Sequence, residues 1–468
     1  MSASLLDRES TGGAVARVGF EYQDAFVLQH LPMWLAQGAF SHVVSEALCD
    51  VEVCYFGGLG RIIRVLHEAK DYALTSTQFW DEMQRFQAVH QALPLEALRF
   101  VLVCRDYKSV TAPLVAKLER LRGVGTSYEK DSPILVAGRA EVVQWVVEKH
   151  EQSAELAEFV FDRVFFLTFA AESADHAFHG VAESSLPSLD MRAKETATLR
   201  DKFKGLVARS AFRTVHRIDL EAAVTDVLGL DDASMWLATS TRVHLCAEAV
   251  PENELGLVVR RFNDRSRGSL PSADWMDLAA AASGIGQFIQ ESRVRTAIVL
   301  DGKLRMSLAC LLGHVFAATK GFVLAVEHNG ATYRTDEHSI VEGTFFQVHA
   351  VPGSVASTEG IVCIGFPTPV GPDVELAGGV ALNGLQVLAL SSDRAVDGIA
   401  TLNLAVAEAK TALVRFRSEQ RLSRIHLFLK APSAFSMVLG HRLNGVGEVQ
   451  LYDWVDGSYL PTALCTPT

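Results

Sequence analysis

Apolar and polar positions alternate differently in the two parts of this chain. In the first part, residues 14–38 (AVARVGFEYQDAFVLQHLPMWLAQG) carry apolar side chains at helical spacing and end on Gly38, which predicts an amphipathic helix. The run HVVSEALCDVEVCYF, residues 42–56, is rich in valine and reads as a strand. Gly57-Gly58-Leu59-Gly60 then turns the chain, and RIIRVLHEAK, residues 61–70, again has β composition, so the pair reads as a hairpin. Residues 76–93 return to helical spacing, with Ser76 or Thr77 placed to cap them. RFVLVCRD, residues 99–106, reads as a buried strand and residues 140–164 as one helix. The expected order is helix, hairpin, helix, strand, helix.

Residues 170–240 read as mostly helical connecting sequence. Inside them a basic stretch sets Arg200, Lys202, Lys204, Arg209, Arg213 and Arg217 against the single acid Asp201. Residues 248–275 are polar and rich in loop formers. Strands and helices then alternate. Strands are expected at 296–301, 322–328, 360–366, 385–390, 424–431 and 448–454, and helices at 305–319, 405–420 and 433–444. A strand, a turn and a helix with a late glycine occur twice, as IVLDGKLRMSLACLLGHVF and HLFLKAPSAFSMVLGHRL. Such a pattern predicts two related α/β units.

The 468 residues suffice for two to four domains, and the 49% hydrophobic content supports substantial cores. No apolar run approaches about 18 residues, so no transmembrane helix is expected. The opening MSASLLDREST lacks the basic-then-apolar pattern of a secretory signal. Seven cysteines, an odd number with no C-x-x-C, fit a reducing cytoplasm rather than a disulfide framework or a zinc ribbon. A formal net charge of −12 excludes a surface that is one DNA-binding field, while leaving room for a local basic groove.

Three residues of the hairpin suggest chemistry. Asp50 begins one strand, and Glu68 and Lys70 end the other. Side chains alternate across a strand, so Glu68 and Lys70 share a face while Ala69 points away. A turn at Gly57–Gly60 brings Asp50 towards that end. Charges two apart also occur on solvated strand edges, yet both strands are rich in Val and Ile, and a charged face there needs a reason. Carboxylates beside a cation suit phosphodiester hydrolysis with Mg²⁺ or Mn²⁺, which take hard oxygen ligands. Other chemistries lack their motifs. The glycine-rich turn leads into a strand rather than a helix, which excludes a dinucleotide fold there. G-x-x-x-x-G-K-[ST], G-x-S-x-G and H-E-x-x-H are all absent.

In the second part, Asp301-Gly302-Lys303-Leu304-Arg305 and Lys430-Ala431-Pro432-Ser433 sit at strand-to-helix turns, where helix N-termini attract phosphates. Lys303, Arg305 and Lys430 are expected to face phosphates, with Ser433 at the second turn. Tyr333, Phe366 and Phe435 are candidates for stacking on bases, worth about 1–3 kcal/mol each. Core packing is the equal alternative for Phe366 and Phe435, whereas Leu427 and Phe428 are core.

The Asp50, Glu68, Ala69, Lys70 pattern resembles that of the PD-(D/E)xK nucleases. Upstream, GGAVARVGFEYQ, through Gly12, Gly13, Gly19, Phe20, Tyr22 and Gln23, resembles the first helix of the nuclease domain of CD-NTase-associated effectors. Glu46 fits the same pattern, as a further metal ligand or a group supporting one. Residues 242–468 resemble a SAVED domain, through VLDGKLRMSLACLLGHVF, ATYRTD, GIVCIGF, IHLFLKAPSAFSMVLGHRLN and VQLYDW. Within these, His426, Leu427, Phe428, Pro432, Ala434, Gly440, Leu443 and Tyr452 are the most telling. Tyr333 stands where that family often has tryptophan.

The resemblance implies an α/β fold class: a restriction-endonuclease-like PD-(D/E)xK domain over residues 1–220, then a SAVED domain of two fused CARF-like (Rossmann-like) units over 242–468. It implies a cytoplasmic effector of bacterial anti-phage (CBASS) defence. Such an effector binds a cyclic oligonucleotide, a trinucleotide by preference, made by a partner CD-NTase. It then self-associates and degrades double-stranded DNA without strong sequence preference. Asp50 and Glu68 would hold the metal and Lys70 would act on the attacking water. The alternative is a catalytically inactive nucleotide-sensing DNA-binding or scaffold protein.

Overall fold

The computed structural model describes residues 8–58, 60–108, 111–129, 131–209, 214–239, 241–264, 268–300, 304–328, 330–370 and 382–467. The chain folds as two units that part between Ser234 and Met235. Among the described residues no helix is long and apolar enough to cross a membrane.

The first unit opens with α1 (Arg8–Ala36), β1 (Phe40–Ser45), β2 (Val51–Phe56), β3 (Ile62–Lys70), α2 (Ser76–Ala92) and β4 (Ala97–Cys104). It continues with α3 (Ala112–Gly125), α4 (Pro133–His150), α5 (Ala154–Arg163), β5 (Val164–Thr168), α6 (Ala174–Ser185), α7 (Ala193–Ala208), β6 (Thr214–His216) and α8 (Arg217–Leu228), with α9 (Leu230–Thr239) at the junction. The six strands form one sheet in the order β5-β4-β3-β2-β1-β6. β3, β4 and β5 run parallel, and the other neighbours antiparallel. One face packs on α2 and α5, burying Phe79, Met83, Phe86, Phe159 and Val160 against Leu66, Phe100, Leu102 and Phe166. The other face meets α1, where Phe26 and Trp34 lie against His67. β3 therefore turns Leu66, Glu68 and Lys70 towards α2 and His67 towards α1.

Two expected elements divide. The run at 42–56 is not one strand but a β1–β2 hairpin, because Glu46 adopts a left-handed φ of 59° and its N–H bonds the Asp50 carbonyl at 3.0 Å. The helix expected over 140–164 breaks at Glu151, whose φ is 55°, and restarts where Ser153 Oγ accepts from Leu156 N at 3.1 Å. The cap of α2 is Thr75 rather than Ser76 or Thr77. Its hydroxyl accepts from Gln78 N at 3.3 Å and its own N–H donates to Gln78 Oε1 at 3.0 Å, a reciprocal capping box.

The second unit holds β7 (Arg242–Cys246), β8 (Leu255–Val258), α10 (Arg260–Asn263), α11 (Ser272–Ser292), β9 (Ala297–Leu300), α12 (Met306–Val315), β10 (Val323–His328) and β11 (Ala331–Arg334). Then come β12 (Gln347–Val351), β13 (Glu359–Gly365), β14 (Val387–Ser391), α13 (Ile399–Gln420), β15 (Arg424–Lys430), α14 (Ser433–His441), β16 (Glu448–Val455) and β17 (Ser458–Cys465). They build two mostly parallel sheets, β11-β10-β9-β7-β8 and β12-β14-β13-β15-β16-β17, the first with one antiparallel edge strand, β11, and the second with two, β12 and β17. The strand expected to be last, β16, is followed by β17. The 248–275 segment carries β8 and the start of α11.

The repeated glycine explains how the two sheets join. Gly313 and Gly440 are each the eighth residue of their helix, α12 and α14. A Cβ on Gly313 would lie 2.0 Å from Met437 O, and one on Gly440 2.0 Å from Cys310 O. The helices thus cross backbone on backbone, which no side chain would allow. The histidine after each glycine reaches a carbonyl beyond its own helix: His314 Nε2 to Thr466 O at 2.8 Å, and His441 Nδ1 to Phe316 O at 2.5 Å.

Candidate functional site

In the first unit Asp50, Glu68 and Lys70 come together. The antiparallel β2–β3 register sets Val51 opposite His67, so Asp50 arrives beside the end of β3. There Asp50 Oδ2 accepts from Ala69 N at 2.8 Å, and Lys70 Nζ donates to Glu68 Oε1 at 2.5 Å. Two groups from α2 complete the cluster. Glu82 lies 3.4 Å from Lys70 Nζ, and the Arg85 guanidinium pairs with Glu68 Oε2. Arg85 Nε also donates to Glu82 Oε2 at 2.8 Å, and its Nη1 to Leu48 O at 3.2 Å, with Cys49 Sγ at 3.7 Å. Neither residue was anticipated. The available signal was their i, i+3 spacing, interleaved with Met83 and Phe86, which places a charged pair beside the buried stripe of α2.

Burial and crowding set the charges. Glu68 is 6% exposed. Burial, then the charge of Glu68, push the Asp50 carboxyl up to about 6, against the Ala69 N–H and Lys70. Burial also pulls on Lys70, but the hydrogen bond and charge of Glu68, followed by Glu82 and Asp50, outweigh it and hold the ammonium above its usual range.

Glu46 sits in the hairpin turn, and its Oε1 is buried without a hydrogen-bond partner. Among the described residues no group of three or more His, Cys, Asp or Glu is placed to hold a metal. The carboxylates of Asp50 and Glu68, with the unpartnered Glu46 oxygen in the turn, nonetheless suit an ion such as Mg²⁺, which keeps several waters and needs only one or two protein ligands. Tyr22 is core. Its hydroxyl donates to Phe169 O at 3.0 Å.

The basic stretch does not act as one surface. Arg217 is 1% exposed, pairs with Glu221 at 2.7 Å and donates to Gln37 O at 2.9 Å. It is a structural tie and cannot reach DNA. Lys202 pairs with Asp226 at 3.0 Å, and Arg200 with Asp201 at 2.9 Å. Lys204 and Arg209 are exposed, while Arg213 lies outside the described residues.

In the second unit Lys430 ends β15 with its side chain exposed, and Ser433 begins α14. Phe366 and Phe435 are core in this structure, exposed by 2% and 0%. Their rings lie 5.0 Å apart within a group that includes Phe345 and Phe346. Tyr333 is largely buried on β11. Leu427 and Phe428 are fully buried, as expected.

The turn before α12 differs from the one before α14. Asp301, Gly302 and Lys303 lie outside the described residues. Arg305 does not stand ready for a phosphate. Its guanidinium donates to Asp264 O at 3.1 Å and to Trp454 O at 2.8 Å, and its N–H to Asn263 Oδ1 at 2.9 Å. The buried Asp453 carboxylate accepts from Ser307 Oγ at 2.7 Å and Ser307 N at 3.3 Å. The chain thus supplies its own anion at the α12 N-terminus.

Residues 11–211 match the family described as Cap4, dsDNA endonuclease domain, and residues 282–463 match SAVED, the SMODS-associated and fused to various effectors sensor domain. A CD-NTase-associated protein 4 of Moraxella osloensis is 48% identical over 463 residues, 99% of each chain. Two solved structures of the Acinetobacter baumannii Cap4 SAVED/CARF-domain containing receptor are also similar. One is with the cyclic trinucleotide 3'3'3'-cAAA and the other with 2'3'3'-cAAA. Each has a TM-score of 0.87 and 44% identity, covering 96% of this chain and 99% of its own.

Proposed function

The chain belongs to the CD-NTase-associated protein 4 family, and from that premise we propose that it is a cytoplasmic defence effector whose residues 1–220 cut double-stranded DNA when residues 242–468 bind a cyclic trinucleotide made by a partner CD-NTase. The observation that carries the nuclease reading is the cluster of Asp50, Glu68 and Lys70, joined by the 2.8 Å Asp50–Ala69 bond and the 2.5 Å Lys70–Glu68 bond.

Asp50 and Glu68 would hold Mg²⁺ or Mn²⁺, with Glu46 as a further ligand. The ion, when bound, lowers the pKa of a water and neutralises charge on the phosphate. Lys70, cationic at neutral pH, orients the attacking water and stabilises the developing charge.

In the sensor half, Lys430 and Ser433 at the α14 turn are the groups best placed for a phosphate, because the α12 N-terminus already has Asp453. Lys303, just before α12 in the sequence, is the further cation proposed for the phosphates. Arg305 would brace the α12 turn rather than face a phosphate, and Tyr333, Phe366 and Phe435 would shape the site from behind rather than stack on bases. The relatives solved with cyclic triadenylates support a cyclic trinucleotide as the ligand. Its binding would favour self-association and so switch on cleavage.

The deciding experiment is a plasmid-degradation assay with Mg²⁺ or EDTA, run against cyclic di-, tri- and tetranucleotides. Metal-dependent degradation only with a cyclic trinucleotide is expected. Undiminished cleavage in EDTA would remove the metal, and no cleavage with any of the nucleotides would remove the effector reading.

A further inference from the structure

We propose that Arg85 is the positioning residue of the nuclease site, the group that keeps the Asp50 turn and the Glu68 carboxylate in one geometry. The inference rests on the nuclease reading above. Asp50 lies just before β2 and Glu68 on β3, and besides the β2–β3 ladder two side-chain links tie them together. One is the Ala69 N–H, which takes Asp50 Oδ2. The other is the Arg85 guanidinium. It pairs with Glu68 Oε2, is anchored on its own helix by Glu82 at 2.8 Å, and bonds the Leu48 carbonyl at 3.2 Å. Leu48 and Cys49 are the residues immediately before Asp50, in the turn that Glu46 bends with its left-handed φ of 59°. Glu52 holds the same turn from the other side, taking Leu48 N at 2.6 Å.

The two oxygens of Glu68 are thereby divided. Arg85 keeps Oε2, and Lys70 takes Oε1. A planar guanidinium can make these contacts at once because its donors form a rigid fork. A lysine at 85 would preserve the charge and lose the fork. That substitution separates geometry from electrostatics, since it leaves the net charge beside the carboxylates unchanged.

The test is Arg85→Lys in the full chain, with Mn²⁺ binding measured by calorimetric titration and plasmid cleavage measured separately. Loss of a group that orients a ligand typically costs about 10–100-fold in metal affinity or activity. A loss of that size in Mn²⁺ affinity is expected, with kcat reduced and the KM for DNA close to wild type. Wild-type Mn²⁺ affinity in the variant would overturn the proposal, because charge alone would then suffice.

Failure of the nuclease reading looks different: the wild-type chain itself would bind no Mn²⁺, and both ideas would fall together. If Arg85→Lys does not melt cooperatively, Glu82→Gln takes its place. It removes the anchor of the fork while leaving Arg85, and a smaller loss of Mn²⁺ affinity in the same direction is expected. No loss in that variant would overturn the proposal.

Discussion

Asp50 is a strained resident of its own fold. Its carboxyl is pushed up to about 6 by burial and by Glu68, above the ordinary value of 3.8. A raised carboxyl pKa means that the folded chain holds a proton the unfolded chain releases. Stability is therefore lost as pH rises through about 6 and regained as it falls towards 3.8. In EDTA, Asp50→Asn should raise the melting temperature of the nuclease unit at pH 8, with the advantage narrowing below pH 6, while abolishing cleavage. Differential scanning across pH checks this, and a gain that ignores pH would contradict it. Lys70→Ala should abolish plasmid cleavage and leave nucleotide binding intact. Cleavage at the wild-type rate would remove Lys70 from the chemistry. The Glu68–Lys70 spacing was legible in the sequence because strand alternation puts i and i+2 on one face. Arg85 was not, since its contact with Glu68 is made by α2 crossing the sheet, and no local pattern encodes it. Phe366 and Phe435 were equally ambiguous, because a ring that stacks on a base and a ring that fills a core look alike along the chain.

Among the elements, the long periodic helices and the Val- and Ile-rich strands were readable, and their breaks were not. Glu46 and Glu151 take left-handed conformations that glycine or asparagine would have advertised. Short strands such as β5 and β8 carry too few alternations to stand out, and β17 is interrupted by Pro461. Arg217 was not distinguishable within the basic stretch, because a buried cation has the same letter as an exposed one. Arg217→Ala should destabilise the first unit by about 3–5 kcal/mol, the cost of stranding its buried partner Glu221. It should leave the salt dependence of DNA binding unchanged. Denaturant melts and binding isotherms at several salt concentrations separate the two effects. A log–log slope reduced by about 0.9 with an unaltered melt would instead make Arg217 a phosphate contact. The repeated glycine was visible as a pattern but silent about its purpose. Gly440→Ala would press a methyl into the Cys310 carbonyl. The overpacked α12–α14 crossing should cost about 1–3 kcal/mol in a melt of the sensor unit. An unchanged melt would mean that the helices part freely.

Over the whole molecule, the pattern alone made the two related α/β units of the second part legible, the nuclease and sensor identities came from the resemblance of the Asp50, Glu68, Lys70 motif and of residues 242–468, and a proposed assembly leaves no mark in one chain. A formal net charge of −12 opposes contact between copies at low salt, so the proposed self-association would draw on a ligand that favours the associated state. Moving that equilibrium from 1:99 to 99:1 takes about 5.5 kcal/mol of differential binding. Sedimentation of the full chain should show larger species on adding a cyclic trinucleotide. Tight binding with no change in sedimentation would remove association as the switch. The crossing of α12 and α14 carries one more consequence. Each sheet of the sensor has its own strands and helices, and the join is made of reciprocal glycines, the His314 and His441 bonds, and the Ser307–Asp453 and Arg305–Trp454 contacts. All of these face across the join, and the covalent link passes through the exposed stretch around Ile340, where Asn403 of α13 donates to Glu337 O at 2.7 Å and Ser339 O at 2.9 Å. A sensor severed at Ile340 and expressed as two fragments should reassemble unaided and co-purify, and fragments that stay apart would show that the join needs the covalent link.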